Sequence, residues 1–140
     1  MSPSEKLLKL FFETTETSQS AGRRFVERLA QRTEDRDTPA SAEAAGAQLR
    51  AMAAWAKPLS EPHADLEKIT QPVLVTNGNN DIMIPTVNSF TLSEHLPNAQ
   101  LIIYPDSGHG SLFQYAGAFS SHVAEFLDRV TRFWTKGMHC

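Results

Sequence analysis

A chain of 140 residues is the length of one domain, and can bury roughly two-thirds of the surface it exposes when unfolded. Its 13 Lys and Arg against 16 Asp and Glu leave a net charge of −3 with the signs interspersed, so no nucleic acid and no membrane is expected as a partner. No apolar run approaches the ~20 residues that span a bilayer. The opening Met-Ser-Pro-Ser-Glu-Lys lacks the basic-then-apolar order of a signal peptide, and the single cysteine, Cys140, excludes an intrachain disulfide, so a cytoplasmic protein is expected.

Ser4 to about Glu13 reads as a short helix whose Leu7, Leu8, Leu10, Phe11 and Phe12 are apolar on more than one side, which calls for burial. A second helix, from about Ala21 to Arg32, places Phe25, Val26, Leu29 and Ala30 on one face. Its Arg23, Arg24 and Arg28 surround Glu27 at spacings that explain them as a solvated, paired face. Thr38-Pro39 offers an N-cap and a first-turn proline for a third helix to about Lys57, with a stripe of Ala45, Leu49, Met52, Ala53 and Ala56. Residues 1–57 thus form a helical, cap-like segment. Residues 58–65 are a connector, because Pro58 and Pro62 favour extended backbone.

From 66 to 140 the pattern changes to alternating strand and helix. Val73-Leu-Val and Leu101-Ile-Ile are continuous apolar runs, the mark of strands buried on both faces, and a helix from about Thr86 to Leu96 lies between them. The unit is a βαβ crossover with a parallel pair. A last helix, from about Ala116 to Trp134, carries Phe119, Val123, Phe126, Leu127, Val130 and Phe133 as a stripe to pack on the sheet. The fold class is α/β.

Each strand runs into a turn that offers a proton-transfer group. The first is Pro72-Val-Leu-Val-Thr-Asn-Gly-Asn-Asn-Asp81, and the second Leu101-Ile-Ile-Tyr-Pro-Asp-Ser-Gly-His109-Gly110. Functional groups of open α/β sheets collect beyond the carboxyl ends of parallel strands, which is where Asp81 and His109 fall. There the carboxylate would accept the imidazole N–H, fixing the tautomer and stabilising the imidazolium. Each residue also has a plain structural reading: Asp81 as a turn former beside Asn79 and Asn80, His109 as a cap for the helix that starts near Gly110. His63, His95, His122 and His139 are scattered without metal-ligand spacing, and neither a metal nor a cofactor is expected.

The pair of turns resembles the C-terminal end of the cap-bearing branch of the α/β-hydrolase superfamily. Gly78-Asn-Asn-Asp81-Ile-Met-Ile-Pro85 matches its Gly-x-x-Asp turn, and Asp106-Ser-Gly-His109-Gly its terminal Gly-His turn. The resemblance covers residues 66 to 135, with 1–57 looking like the cap. It implies a partial α/β-hydrolase fold and a Ser-His-Asp triad in which Asp81 and His109 are the catalytic acid and base, cleaving an ester, lactone or similar bond of a small-molecule substrate. The triad's nucleophile would sit on a Gly-x-Ser-x-Gly elbow, and no such pentapeptide occurs in these 140 residues. Ser107, Ser111 and Cys140 are poor substitutes, the serines because they lie so close to His109 in sequence.

Two functional classes follow. One is the acid-and-base part of a hydrolase, inactive until an N-terminal half completes it; the other is a non-catalytic remnant that binds or self-associates. A nucleotide-binding unit is disfavoured, because neither strand leads into a Gly-x-Gly-x-x-Gly or P-loop. Phe11, Phe12, Trp55 and Met52 of the cap, with Met83 and Phe113 near the turns, are candidate substrate-binding residues, each with core packing as its alternative. Two strands are fewer than a stable sheet needs, so a homo-oligomer is expected.

Overall fold

The three N-terminal helices owe their starts to hydroxyl caps. A computed structural model describes residues 1–57, 60–61 and 63–137, with side chains of the last helix as far as 132. Helix α1, Pro3–Phe11, opens with a capping box: Ser2 Oγ accepts the Glu5 N–H while Glu5 accepts the Ser2 N–H, and Pro3 fills the first turn. Helix α2, Glu16–Gln31, starts five residues before the expected Ala21, because Thr15 Oγ1 accepts the Ser18 N–H at 3.2 Å. The stretch it adds is polar and carries no apolar period by which to find it.

Helix α3, Ala42–Trp55, departs further from expectation. Its cap is Ser41, whose Oγ accepts from Ala44 N–H at 3.1 Å, and not Thr38. None of its residues is buried, and Leu49 and Met52 of the expected stripe stand in solvent, as does Trp55. The helix rests on its cap and on the high helix propensity of its alanines, not on packing. Pro58, Leu59 and Pro62 of the connector lie outside the described residues; beyond them a 3-10 turn, Leu66–Lys68, leads to the sheet.

Strands β1, Val73–Gly78, and β2, Ala99–Tyr104, pair in parallel, from Val73 opposite Ala99 to Gly78 opposite Tyr104. Helix α4, Thr86–His95, is the crossover and packs on both. The expectation of strands buried on both faces is corrected. Val75, Asn77, Gly78 and Tyr104 are buried, but the remaining strand residues are only half-covered or exposed, because a sheet of two strands leaves both edges open. Buried Asn77 is satisfied: its Nδ2 donates to Ser89 Oγ at 3.0 Å and Ile84 O at 3.3 Å.

After β2 the chain makes one helical turn, α5, Ser111–Gln114, and then α6, Ala116–Gly137. Phe119, Val123, Phe126 and Val130 form the half-buried stripe, from which Leu127 is left out at 55 % exposure. The expected Phe133, Trp134, His139 and Cys140 have side chains outside the described residues. Tyr104 anchors α6 to the sheet by stacking on Tyr115 and by a 2.9 Å bond from its hydroxyl to His122 Nδ1. Burial raises the phenol's pKa above its ordinary value. Among the described residues no helix is long and apolar enough to cross a membrane.

Candidate active site

The turn after β1 is built around the carboxylate it presents. Asp81 Oδ1 accepts two backbone N–H groups, from Met83 at 2.8 Å and Ile84 at 2.9 Å, so the loop folds around its own acid. The Asp81 N–H meets Thr86 Oγ1 at 3.3 Å, and that hydroxyl donates to Gly78 O at 2.6 Å, tying the turn to the end of β1 and the start of α4. With 2 % of its side chain exposed, Asp81 has no water-facing oxygen to spare.

The turn after β2 is locked to the first by backbone contact. Asn79 N–H donates to Tyr104 O at 2.9 Å, Asn80 N–H to Ser107 O at 3.2 Å, and Ser107 N–H to Asn79 Oδ1 at 3.1 Å. Position 78 must be glycine for this approach, since a Cβ there would fall 2.2 Å from Ser107 O and 2.3 Å from Gly108 O. Asp106, at φ 46°, turns the chain so that His109 faces back across the strand ends.

There His109 Nδ1 lies 2.8 Å from Asp81 Oδ2. With Oδ1 committed to two donors, Oδ2 accepts from Nδ1–H, which leaves the imidazole lone pair on Nε2. Nε2 has no hydrogen-bond partner among the described residues, and the His109 side chain is 34 % exposed. An oriented imidazole with a free, reachable lone pair can take a proton from a neighbouring hydroxyl, and the carboxylate behind it stabilises the resulting cation.

Helices α1 and α2 form one wall. Phe11 packs T-shaped on His109 with ring centroids 5.2 Å apart, and behind it Phe113, Phe25 and Phe12 continue a run of ring contacts into the core. Thr15 Oγ1 donates to the Asp106 carboxylate at 2.8 Å. Ser18 Oγ donates to Gln114 Oε1 at 2.7 Å while accepting the Glu13 N–H, and Gln114 Nε2 donates to Asp106 O. Thr15, Ser18 and Asp106 have no place among the site residues expected from sequence, whereas Gln114, following His109 with Phe113 and Tyr115, is expected near the crevice. The cap at Thr15 was a readable signal, but partners 91 and 96 positions away were not.

Of the candidate substrate-binding residues, the structure brings Phe11 against His109 and Phe113 against Phe11, and leaves Met83 half-exposed on the Asp81 turn. Phe12 is turned away into the core beside Phe25, at 4 % exposure. Trp55, at 79 %, projects into solvent from α3, and Met52 does likewise, so neither roofs the dyad. Ser107 and Ser111 are buried, and the Ser107 hydroxyl is spent on Tyr104 O at 2.8 Å, which removes it as an attacking group.

Residues 39–133 match the family described as TAP-like protein. An α/β hydrolase fold protein from Chitinophaga pinensis superposes with a TM-score of 0.84 at 45 % identity, over 91 % of this chain and 46 % of that one. The pimeloyl-[acyl-carrier protein] methyl ester esterase of Nitrosomonas europaea is 34 % identical over 62 residues, 44 % of this chain and 25 % of the esterase. The 2-hydroxymuconate semialdehyde hydrolase of a Pseudomonas species is 32 % identical over 73 residues, 52 % of this chain and 26 % of the hydrolase. The chain therefore spans about half the length of the solved relative, and its match about a quarter of each curated one.

Proposed function

Because the chain belongs to the TAP-like protein family of α/β-hydrolases, we propose that it carries the acid and base of a hydrolase that cleaves an ester, lactone or similar bond of a small molecule. The observation behind this reading is the 2.8 Å bond between His109 Nδ1 and buried Asp81. His109 Nε2 takes the proton of an attacking serine hydroxyl and returns it to the leaving group, while Asp81 holds the ring and stabilises the imidazolium. The serine and the oxyanion hole come from outside these 140 residues, which contain no Gly-x-Ser-x-Gly. Neither residue attacks substrate, so the chain alone does not turn over.

The test is direct. Incubated with an activated nitrophenyl ester, the chain should hydrolyse no faster than free imidazole, and a serine-directed phosphonate should leave it unlabelled. Stoichiometric labelling of any of its serines would overturn the reading.

A second reading, a non-catalytic module that self-associates, draws on the exposure of Ile82, Met83, Ile84, Val87 and Phe90 around the Asp81 turn and α4. The coding sequence ahead of Met1 separates the two. A Gly-x-Ser-x-Gly in that frame supports the hydrolase, and its absence supports the module.

A further inference from the structure

The C-terminal end of α1 meets the His109 turn at two points. Phe11 is the last residue of α1, so its carbonyl has no acceptor role inside the helix; it accepts instead the N–H of Gly110 at 2.8 Å, one residue beyond the histidine. Its ring stands at 67° to the imidazole and is backed by Phe113, nearly parallel at 6.2 Å, which itself stacks on Phe25 at 4.3 Å. Both contacts depend on glycine. A Cβ at Gly110 would come within 2.8 Å of Phe11 Cβ, and one at Gly108 within 3.1 Å of Phe11 O.

We propose that Phe11 is a positioning residue for His109: the docked end of α1 holds the imidazole in the one orientation in which Nδ1 faces Asp81. Asp81 grips the ring at a single atom, and a side chain with a third of its surface open has room to swing about its two torsions into solvent. The aromatic ring of Phe11, stacked on Phe113, closes that arc. Edge-to-face pairs favour the packed arrangement by about two- to tenfold beyond simple burial, enough to decide between a ring on Asp81 and a ring turned away. The catalytic meaning of this rests on the hydrolase reading above; the geometry does not.

Nitrogen-15 NMR of the histidine rings in the intact chain reads the ratio of Nδ1–H to Nε2–H tautomer at His109. Phe11→Leu keeps an apolar side chain but removes the aromatic ring, and should lower that ratio two- to tenfold, whereas Phe11→Tyr should preserve it. Leu8→Ala loosens α1 where Leu8 lies against Gly22, away from the histidine. It should lower the melting temperature and leave the ratio unchanged. An unchanged ratio in Phe11→Leu, or an equal fall in Leu8→Ala, overturns the proposal. Should Phe11→Leu fail to fold, the unaltered chain decides: a nuclear Overhauser contact between the Phe11 and His109 rings supports the assignment and its absence overturns it. Asp81→Asn is the control. If it leaves the tautomer ratio unmoved, the dyad itself is wrong; if it moves the ratio and Phe11→Leu does not, only the role of Phe11 falls.

Discussion

Replacing Asp81 by alanine and by asparagine separates what this carboxylate does for the fold from what it does for His109. Alanine strips the acceptor from the Met83 and Ile84 N–H groups, at 2.8 and 2.9 Å, and removes the partner of His109 Nδ1. Bonds to an ionised acceptor contribute about 1.5–3 kcal/mol each when buried and less where water reaches the donors, as it partly does here. A loss of about 2–4 kcal/mol is therefore expected, a sizeable share of the 5–15 kcal/mol typical of a domain. Asparagine keeps an amide oxygen for the two N–H donors and turns its NH2 towards His109. Its stability should stay within about 1 kcal/mol of the parent, while the imidazole, now accepting at Nδ1, carries its proton on Nε2 and loses the lone pair that a base needs. Urea unfolding followed by far-UV circular dichroism gives both numbers, provided the slopes agree. An asparagine variant as destabilised as the alanine variant would refute the division, as would an alanine variant with no loss.

Gly78→Ala should be among the most damaging single changes, about 3 kcal/mol or more by thermal unfolding, because the atoms a methyl group would meet are backbone carbonyls that cannot rotate away; a loss under 1 kcal/mol would contradict the close approach of the two turns. Ser18→Ala leaves the Glu13 N–H and the Gln114 amide without their fully buried partner, and should cost about 2 kcal/mol in the same assay. Light scattering at micromolar concentration should give a mass above that of one chain, little altered by salt, because the surface to be covered is apolar. A monomer with sharp cooperative unfolding would show that the chain closes its own core.

The features most legible in the sequence were those whose signal is local. Asp81 and His109 each lie in the turn that follows an apolar run, but the register, with Gly78 opposite Tyr104, is two positions away from a direct alignment of the two runs and is visible only in the folded pair. The start of α2 is not legible because Thr15 and Ser18 serve a polar tie to Asp106 and Gln114, and polar ties have no period. The stripe on α3 misled for the opposite reason. Ala45, Leu49, Met52, Ala53 and Ala56 have the spacing of a buried face, but periodicity states that a face is apolar without saying that these 140 residues contain what covers it. Phe12 and Phe11 show the same limit on a smaller scale: adjacent and identical in type, one is core and the other touches the imidazole, and only the turn at the end of α1 decides which.

The links from Thr15 to Asp106 and from Ser18 to Gln114 join positions 91 and 96 residues apart, and they bear on when the chain can fold as well as on how. Contacts of such long range close a large loop before they return any stabilisation, and folds rich in them form slowly. During synthesis α1 and α2 emerge well before α5, so Phe11 and Phe25 spend that interval without Phe113, the ring they both pack on. The His109 turn matures later than α1: the Gly110 N–H finds its acceptor, Phe11 O, on a helix that has been waiting since the first residues appeared, and an interruption of translation before His109 would leave the Asp81 turn with no imidazole to set against it.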